Sequence, residues 1–125
     1  MNEILRRVAP GVRLTTPSRR VPFMVEEVDP RGVVLRVGRT GSRIRIPAEC
    51  LEGVPDFLRD KGWVRIGAIH GKPCKGSLED YLQQFTHGTS VASYVVPILE
   101  RISIVQVDRR RPARVRLVEE RPREK

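Results

Sequence analysis

Alternating apolar and polar positions in the first third of the chain predict short antiparallel strands. Residues 12–15 and 21–28 alternate in this way, and the second run leads into an Asp-Pro-Arg-Gly sequence at 29–32, the residue order of a type I turn. We therefore expect a hairpin whose second strand covers 33–37. A further strand is expected at 42–46, where isoleucines alternate with arginines.

The same alternation groups arginines on one face of the predicted sheet. Successive side chains of a strand point to opposite faces, so Arg36, Arg43 and Arg45 should lie together on the face opposite the isoleucines. These three residues form a candidate second basic face. The alternative explanation is the solvated face of a half-buried antiparallel sheet, which needs no ligand.

The spacing of apolar residues changes after residue 47. A short helix is expected at 55–62, with proline in its first turn and glycine at its end. The alternative is a helix that starts as early as Ala48 and is interrupted. The pattern predicts a strand at 63–69 and a turn-rich loop at 70–76. We expect the aromatic residues Phe57 and Trp63 to lie in the core.

Two longer helices are expected between residues 77 and 101. Ser77 is a good N-cap for the first helix, and Ser90 is the candidate cap of the second. Pro97 removes a backbone hydrogen bond, which predicts a kink or a later start of the second helix. Apolar residues recur at helical spacing in both: Leu78, Tyr81, Leu82 and Phe85 in the first, and Ala92, Val95, Leu99 and Ile102 in the second.

A hairpin with a basic tip is predicted near the end of the chain. Its strands are expected at 102–107 and 113–118, and the connection between them carries Arg109, Arg110 and Arg111. Three adjacent like charges must be solvated or paired, so packing alone does not explain them. Residues 119–125 form a charged tail.

Composition and charge indicate a folded protein with a polyanionic partner. The chain has 125 residues, 39% hydrophobic residues and a net charge of +9. Residues 1–47 carry ten basic and four acidic residues, 48–100 carry five and seven, and 101–125 carry nine and four. Nucleic acid is the leading partner. Twenty of the 24 basic residues are arginine, which suits phosphate binding, although a thermophilic or GC-rich source would bias composition in the same way.

Cysteine usage and hydropathy predict a cytoplasmic protein. The two cysteines, Cys50 and Cys74, are too few for a disulfide framework. The longest apolar run, at 91–99, is far shorter than the roughly 18 residues of a membrane span. The first residues lack the apolar region of a signal peptide, so we expect neither a membrane protein nor an exported one.

The element order over residues 55–118 resembles that of the winged helix-turn-helix superfamily: short helix, strand, helix, turn containing Gly88, helix, hairpin. The predicted fold is therefore α+β, with an antiparallel β subdomain at 1–47 and a winged-helix half at 48–118. The resemblance implies a non-enzymatic DNA-binding protein whose helix at 90–101 enters the major groove. The implied DNA-binding residues are Thr89, Ser90, Ser93, Tyr94, Arg101, Arg109, Arg110, Arg111 and Arg114.

The helix predicted to enter the major groove has few side chains that can contact bases. Its outward positions are expected to be Ser90, Ser93, Tyr94, Pro97 and Arg101, which include one basic residue and no Asn or Gln for base contacts. A protein interaction module, with the winged helix as scaffold, is the competing function. RNA binding is the third candidate function. It would need exposed aromatic residues for stacking, and Phe23 is the only aromatic residue of the β subdomain.

Enzymatic and metal-binding patterns are poorly supported, and no cofactor or metal is predicted. The candidate zinc ligands Cys50, His70, Cys74 and His87 match no common zinc spacing. The loop at 71–77 lacks the spacing of a phosphate-binding loop. A nuclease built on Asp56, Asp60 and Lys61 lacks the separated acids that metal-dependent cleavage needs.

Overall fold

A computed structural model describes residues 3–69, 72–73, 75–86, 89–110 and 112–118. The fold is mixed α+β, with a four-stranded antiparallel sheet followed by helices and a small sheet. A short helix that the pattern did not predict, α1 (Glu3–Arg7), comes first. The four-stranded sheet, called the N-terminal sheet below, has its strands in chain order: β1 (Arg13–Thr15), β2 (Pro22–Asp29), β3 (Gly32–Val37) and β4 (Ser42–Pro47).

The predicted hairpin at 29–32 is confirmed, and its turn explains one glycine. The side chain of Asp29 accepts a hydrogen bond of 2.8 Å from the amide of Arg31, which stabilises the turn locally. Gly32 follows with φ +144°. A Cβ at this position would overlap the carbonyl oxygen of Ile46 and lie 2.8 Å from the amide nitrogen of Ala48. Only glycine therefore lets β3 approach the end of β4.

The second half of the chain begins with two helical turns and ends with a hairpin. Its elements are α2 (Glu49–Glu52), α3 (Val54–Leu58), β5 (Val64–Arg65), β6 (Ala68–Ile69), β7 (Lys72–Pro73), α4 (Leu78–Thr86), α5 (Ala92–Arg101), β8 (Val105–Asp108) and β9 (Arg114–Leu117). Strands β5, β9 and β8 form an antiparallel sheet in that order, called the small sheet below. Strands β6 and β7 pair with each other inside the region predicted as strand and loop.

One apolar core joins the two halves. Phe23 and Leu35 of the N-terminal sheet belong to the same buried cluster as Leu82 of α4 and Val115 of β9. Helix α5 lies at the centre of this cluster and contacts β1, α2, α4 and β8. The boundary predicted near residue 47 therefore divides the sequence pattern, whereas the core is continuous across it.

The caps of α4 and α5 differ. Ser77 caps α4 as predicted, since its Oγ accepts a 3.1 Å hydrogen bond from the amide of Asp80. The prediction that Ser90 caps α5 is wrong: Val91 occupies the N-cap position without a side-chain bond of its own. The buried carboxylate of Glu79, in α4, accepts the hydrogen bonds at the start of α5 instead.

The end of α5 explains why β8 begins later than predicted. Ser103 has φ +66°, and its amide donates to the carbonyl oxygen of Glu100 at 3.0 Å. The amide of Ile104 donates to the carbonyl oxygen of Leu99 at 2.9 Å. This pair of bonds is a Schellman motif, so residues 102–104 terminate the helix, and the strand begins at Val105.

Two further predictions are corrected. The helix expected at 55–62 consists of α2 and α3, which meet at Gly53, so the earlier start is the observed one. Trp63 was expected in the core, but its side chain is 41% exposed, whereas Phe57 packs against the core. Among the described helices, none reaches the length and hydrophobicity that crossing a bilayer requires.

Candidate nucleic-acid interface

The exposed face of the N-terminal sheet carries a row of arginines. Strand pairing aligns Arg13 with Met24, Met24 with Arg36, and Arg36 with Arg43, so these side chains cross the sheet in register. Arg45 lies on the same face, two positions along β4 from Arg43. Neighbouring strands are about 4.8 Å apart, which makes the row about 15 Å long. We call Arg13, Arg36, Arg43 and Arg45 the sheet arginines.

Two glutamates of β2 lie among the sheet arginines. Glu26 accepts hydrogen bonds from Nε of Arg36 at 2.8 Å and from Nε of Arg43 at 3.0 Å. Glu27 lies 3.4 Å from a terminal nitrogen of Arg43. The hydrogen bond from Arg36 is the main reason why the pKa of Glu26 is lowered. Glu26 thereby relieves the repulsion of two arginines that face each other across β3 and β4.

The side chains of Arg13 and Arg45 are exposed and form no hydrogen bond or ion pair with another described residue. Both keep all their guanidinium donors available to solvent or to an anion. The sequence reasoning identified Arg45 but missed Arg13. The signal was present in the alternation of residues 12–15, which puts Arg13 on the face opposite Leu14.

An open groove connects the sheet arginines to the C-terminal hairpin. The groove has a volume of about 360 Å³ and runs between β1 and α5, with Arg13 and Thr15 on one side and Glu100 and Arg109 on the other. Arg13 therefore belongs both to the exposed sheet face and to the groove. Through the groove, the sheet arginines and Arg109 of the hairpin lie on one connected surface.

The described arginines of the hairpin tip are paired with carboxylates. Arg109 donates to both oxygens of Glu100, at 3.0 and 2.6 Å. Arg110 donates to both oxygens of Asp108, and the hydrogen bonds from Arg110 lower the pKa of Asp108 to about 2. Arg111 lies outside the described residues. The tip thus presents less net positive charge than its sequence suggests.

Arg114 lies on the exposed face of the small sheet. Its register partners are Arg65 in β5 and Asp108 in β8. The side chain is exposed and contributes to the field that lowers the pKa of Asp108. Arg114 therefore lies near Arg110 and away from the core.

The residues predicted to form the outward face of α5 do not form one exposed face. Pro97 is buried rather than outward, and Tyr94 is half-buried with its ring edge-on to Phe23 at 5.3 Å. Ser93 and Arg101 are exposed. Residues 95–99 are all buried, because α5 packs against elements on several sides. The helix has no continuous free face of the width that groove insertion requires.

The segment before α5 offers hydroxyl groups but few free amides. Thr89 and Ser90 are exposed. The amides of Val91 and Ala92 already donate to Glu79, at 3.0 and 2.8 Å, so the positive end of the helix is neutralised within the protein. Gly88, the turn residue of the predicted helix-turn-helix, lies outside the described residues.

Arg101 belongs to a second pocket, at the far end of α5. This pocket has a volume of about 160 Å³ and lies between α1, β1 and α5. Arg7 is the other basic residue of its lining, and a guanidinium nitrogen of Arg7 donates to the carbonyl oxygen of Ile102. Arg7 was not identified from the sequence, because its position depends on how α1 packs.

Among the groups considered for catalysis and metal binding, Cys50 lies in the core and Asp56 in an ion pair. Cys50 is fully buried, and burial raises its pKa to about 12, so it remains a neutral thiol. Asp56 forms an ion pair of 3.0 Å with Arg59. His70, Cys74 and His87 lie outside the described residues.

Comparison with known proteins adds no relative: no protein-family model, no curated protein and no solved structure matches the chain.

Proposed function

We propose that this protein is a non-enzymatic DNA-binding protein whose sheet arginines bind the phosphates of double-stranded DNA. The observation that carries the proposal is the row across the N-terminal sheet, in which Arg13, Arg36 and Arg43 lie in register. A row of about 15 Å is long enough to reach phosphates on both sides of a major groove about 12 Å wide. Two of the four sheet arginines have no carboxylate partner among the described residues.

The second half of the chain is proposed to be a winged-helix half that supports this surface. The order of α3, β5, α4, α5 and the β8–β9 hairpin supports that assignment, as does the pairing of β5 with β9. The hairpin would act as the wing, with Arg109 lining the groove beside Arg13. Because α5 is buried over residues 95–99, the proposal gives it a scaffolding role rather than a reading role.

Phosphate contact of this kind predicts weak sequence preference and strong salt dependence. Each neutralised phosphate releases condensed counterions, so a contact with about six phosphates gives a slope of about −5 for log K against log salt. Phosphate contacts orient a protein on DNA without reading its sequence. Affinity should therefore be similar for random duplexes of equal length.

The test uses fluorescence anisotropy of labelled random-sequence duplex DNA at several salt concentrations. In the double variant R13Q/R45Q the two unpaired sheet arginines are removed without exposing a carboxylate, and the slope should become less negative by about 2. R59Q removes one charge, which is paired with Asp56, from the end of α3 and should change the slope by less than about 0.5. A flat salt response of the unaltered protein, or equal effects of the two variants, would exclude the proposal.

A protein interaction module is the second candidate function. It is favoured by the pairing of Arg109 with Glu100 and of Arg110 with Asp108, which reduces the charge that the hairpin offers to phosphate. The double variant R13Q/R45Q discriminates between the two. Unchanged duplex affinity of this variant, with a protein partner still bound, favours the interaction module.

A further inference from the structure

The small sheet has an exposed face of its own, distinct from the N-terminal sheet. Its core side carries Val64 of the edge strand β5 and Val115 of the central strand β9, which pair with each other. The opposite side, called the small-sheet face here, carries one row of charged side chains and one mixed row. The first row is Arg65, Arg114 and Asp108, and the second is Trp63, Arg116 and Gln106.

Trp63 is the large apolar side chain that this face leaves in contact with water. It is 41% exposed, and the guanidinium of Arg116 lies over its ring, with Cζ 4.7 Å from the ring centroid. Nε of Arg116 also donates a 2.6 Å hydrogen bond to Oε1 of Gln106. The hydrogen bond and the ring together hold Arg116, so a cation lies over the indole before any ligand binds.

We propose that the small-sheet face binds an unpaired nucleotide of a single-stranded nucleic acid, with its base stacked on Trp63 and Arg116 and its phosphate beside Arg114. Every base has a π-face, and bases stack on aromatic rings and on guanidinium planes. Arg114 is exposed in the next row of the same face, where it can meet the backbone that enters or leaves the stacked base.

A duplex or an acidic peptide fits this face less well. The bases of a duplex are stacked on each other and do not offer a free π-face. An acidic peptide would pair with arginines but would gain little from the indole. The inference does not rest on the proposed function, because it concerns a different face and a different state of the nucleic acid.

The protein contains one tryptophan, so Trp63 is itself the reporter of stacking. The probes are an oligothymidylate of about ten nucleotides, within the usual site size for single strands, and an abasic phosphodiester of the same length. The oligothymidylate should quench Trp63 fluorescence in a saturable way. The abasic strand should cause little quenching and bind about tenfold more weakly, because it lacks the base.

Variants then separate stacking from charge, with affinity measured by anisotropy of the labelled strands. W63L should weaken oligothymidylate binding about tenfold and leave the abasic strand unaffected, whereas W63F should restore binding to within about threefold. Thermal melts of both variants check that the fold is retained. R13Q/R45Q should leave the quenching by oligothymidylate unchanged, which keeps this site separate from the sheet arginines.

Three results would overturn the inference. The first is equal affinity for the oligothymidylate and the abasic strand, because charge alone would then explain binding. The second is equal binding of oligothymidylate by W63L and the unaltered protein. The third is displacement of the oligothymidylate by a polyglutamate peptide of the same charge with equal affinity, which would assign the face to an acidic protein. Failure of duplex binding would leave this inference standing.

Discussion

The carboxylate of Glu79 in α4 accepts a hydrogen bond of 2.8 Å from the amide of Ala92 at the start of α5. The same oxygen accepts a second bond, of 3.0 Å, from the amide of Val91, and the other oxygen accepts one of 2.7 Å from Gln83. Glu79 is only 2% exposed. One helix thus supplies the cap of the next, which fixes the angle between them and satisfies amides that would otherwise be buried without partners.

Replacing Glu79 with alanine should strongly destabilise the protein. The substitution leaves the amides of Val91 and Ala92 without their acceptor in a buried place, and we expect a loss of about 2–4 kcal/mol in the free energy of unfolding. Urea unfolding followed by circular dichroism measures the change. Glu49, an exposed glutamate of α2, is the matched control, and E49A should cost less than about 1 kcal/mol. Similar losses in the two variants would contradict the cap.

Gly32 should not tolerate a side chain. In G32A the new Cβ would overlap the carbonyl oxygen of Ile46, in a backbone conformation with φ +144° that L-residues avoid. We expect a loss of at least about 3 kcal/mol, or failure to fold. Gly67 is the control, because nothing lies within 4 Å of a Cβ built there. If thermal melts place G32A within a few degrees of G67A, the proposed close approach is absent.

Asp108 should make the hairpin sensitive to acid. Hydrogen bonds from Arg110 lower the pKa of its carboxyl from 3.8 to about 2. A carboxyl whose pKa falls on folding stabilises the native state fully above the unfolded value, and the contribution is lost as the pH falls through the folded value. The difference in melting temperature between the unaltered protein and D108N should therefore be constant above about pH 5 and shrink toward pH 2. A difference at pH 2 as large as that at neutral pH would show that the carboxyl acts without its charge.

Glu100 should limit DNA binding by holding Arg109. In E100Q the bidentate pair of 3.0 and 2.6 Å is lost, and Arg109 is released beside the groove. We expect duplex affinity at low salt to rise severalfold and the salt slope to become steeper by about 1. Because the pair is solvent-exposed, stability should change by less than about 1 kcal/mol. E49Q changes the net charge equally and serves as control. An equal rise in affinity with E49Q would indicate a general charge effect rather than release of Arg109.

Local pattern was sufficient for much of the N-terminal half. The period of two in β2, β3 and β4 and the turn residues at 29–32 identify the hairpin, and they place Arg36, Arg43 and Arg45 on one face. The helical stripe of α4 and the cap at Ser77 were also recognisable. In each case the signal lies in adjacent residues, because strand alternation, turns and caps depend on neighbours in the chain.

Charge at the interface was less predictable. Arg109 is paired with Glu100 nine residues away, and Arg13 joins the sheet to the groove only through the approach of β1 to α5. Composition counts such charges, but it does not say which of them meet a carboxylate. An ion pair forms only after tertiary contacts have brought both side chains together.

The amino-acid order alone determined where most strands and helices form and which side of a strand is apolar. Accessibility was decided by packing. The stripe of α5 predicts one buried face, but neighbours on several sides bury Pro97 as well, while Trp63, apolar enough for the core, is left at the surface beside Arg116. Periodicity reports the geometry of one element, whereas burial depends on how many other elements surround it.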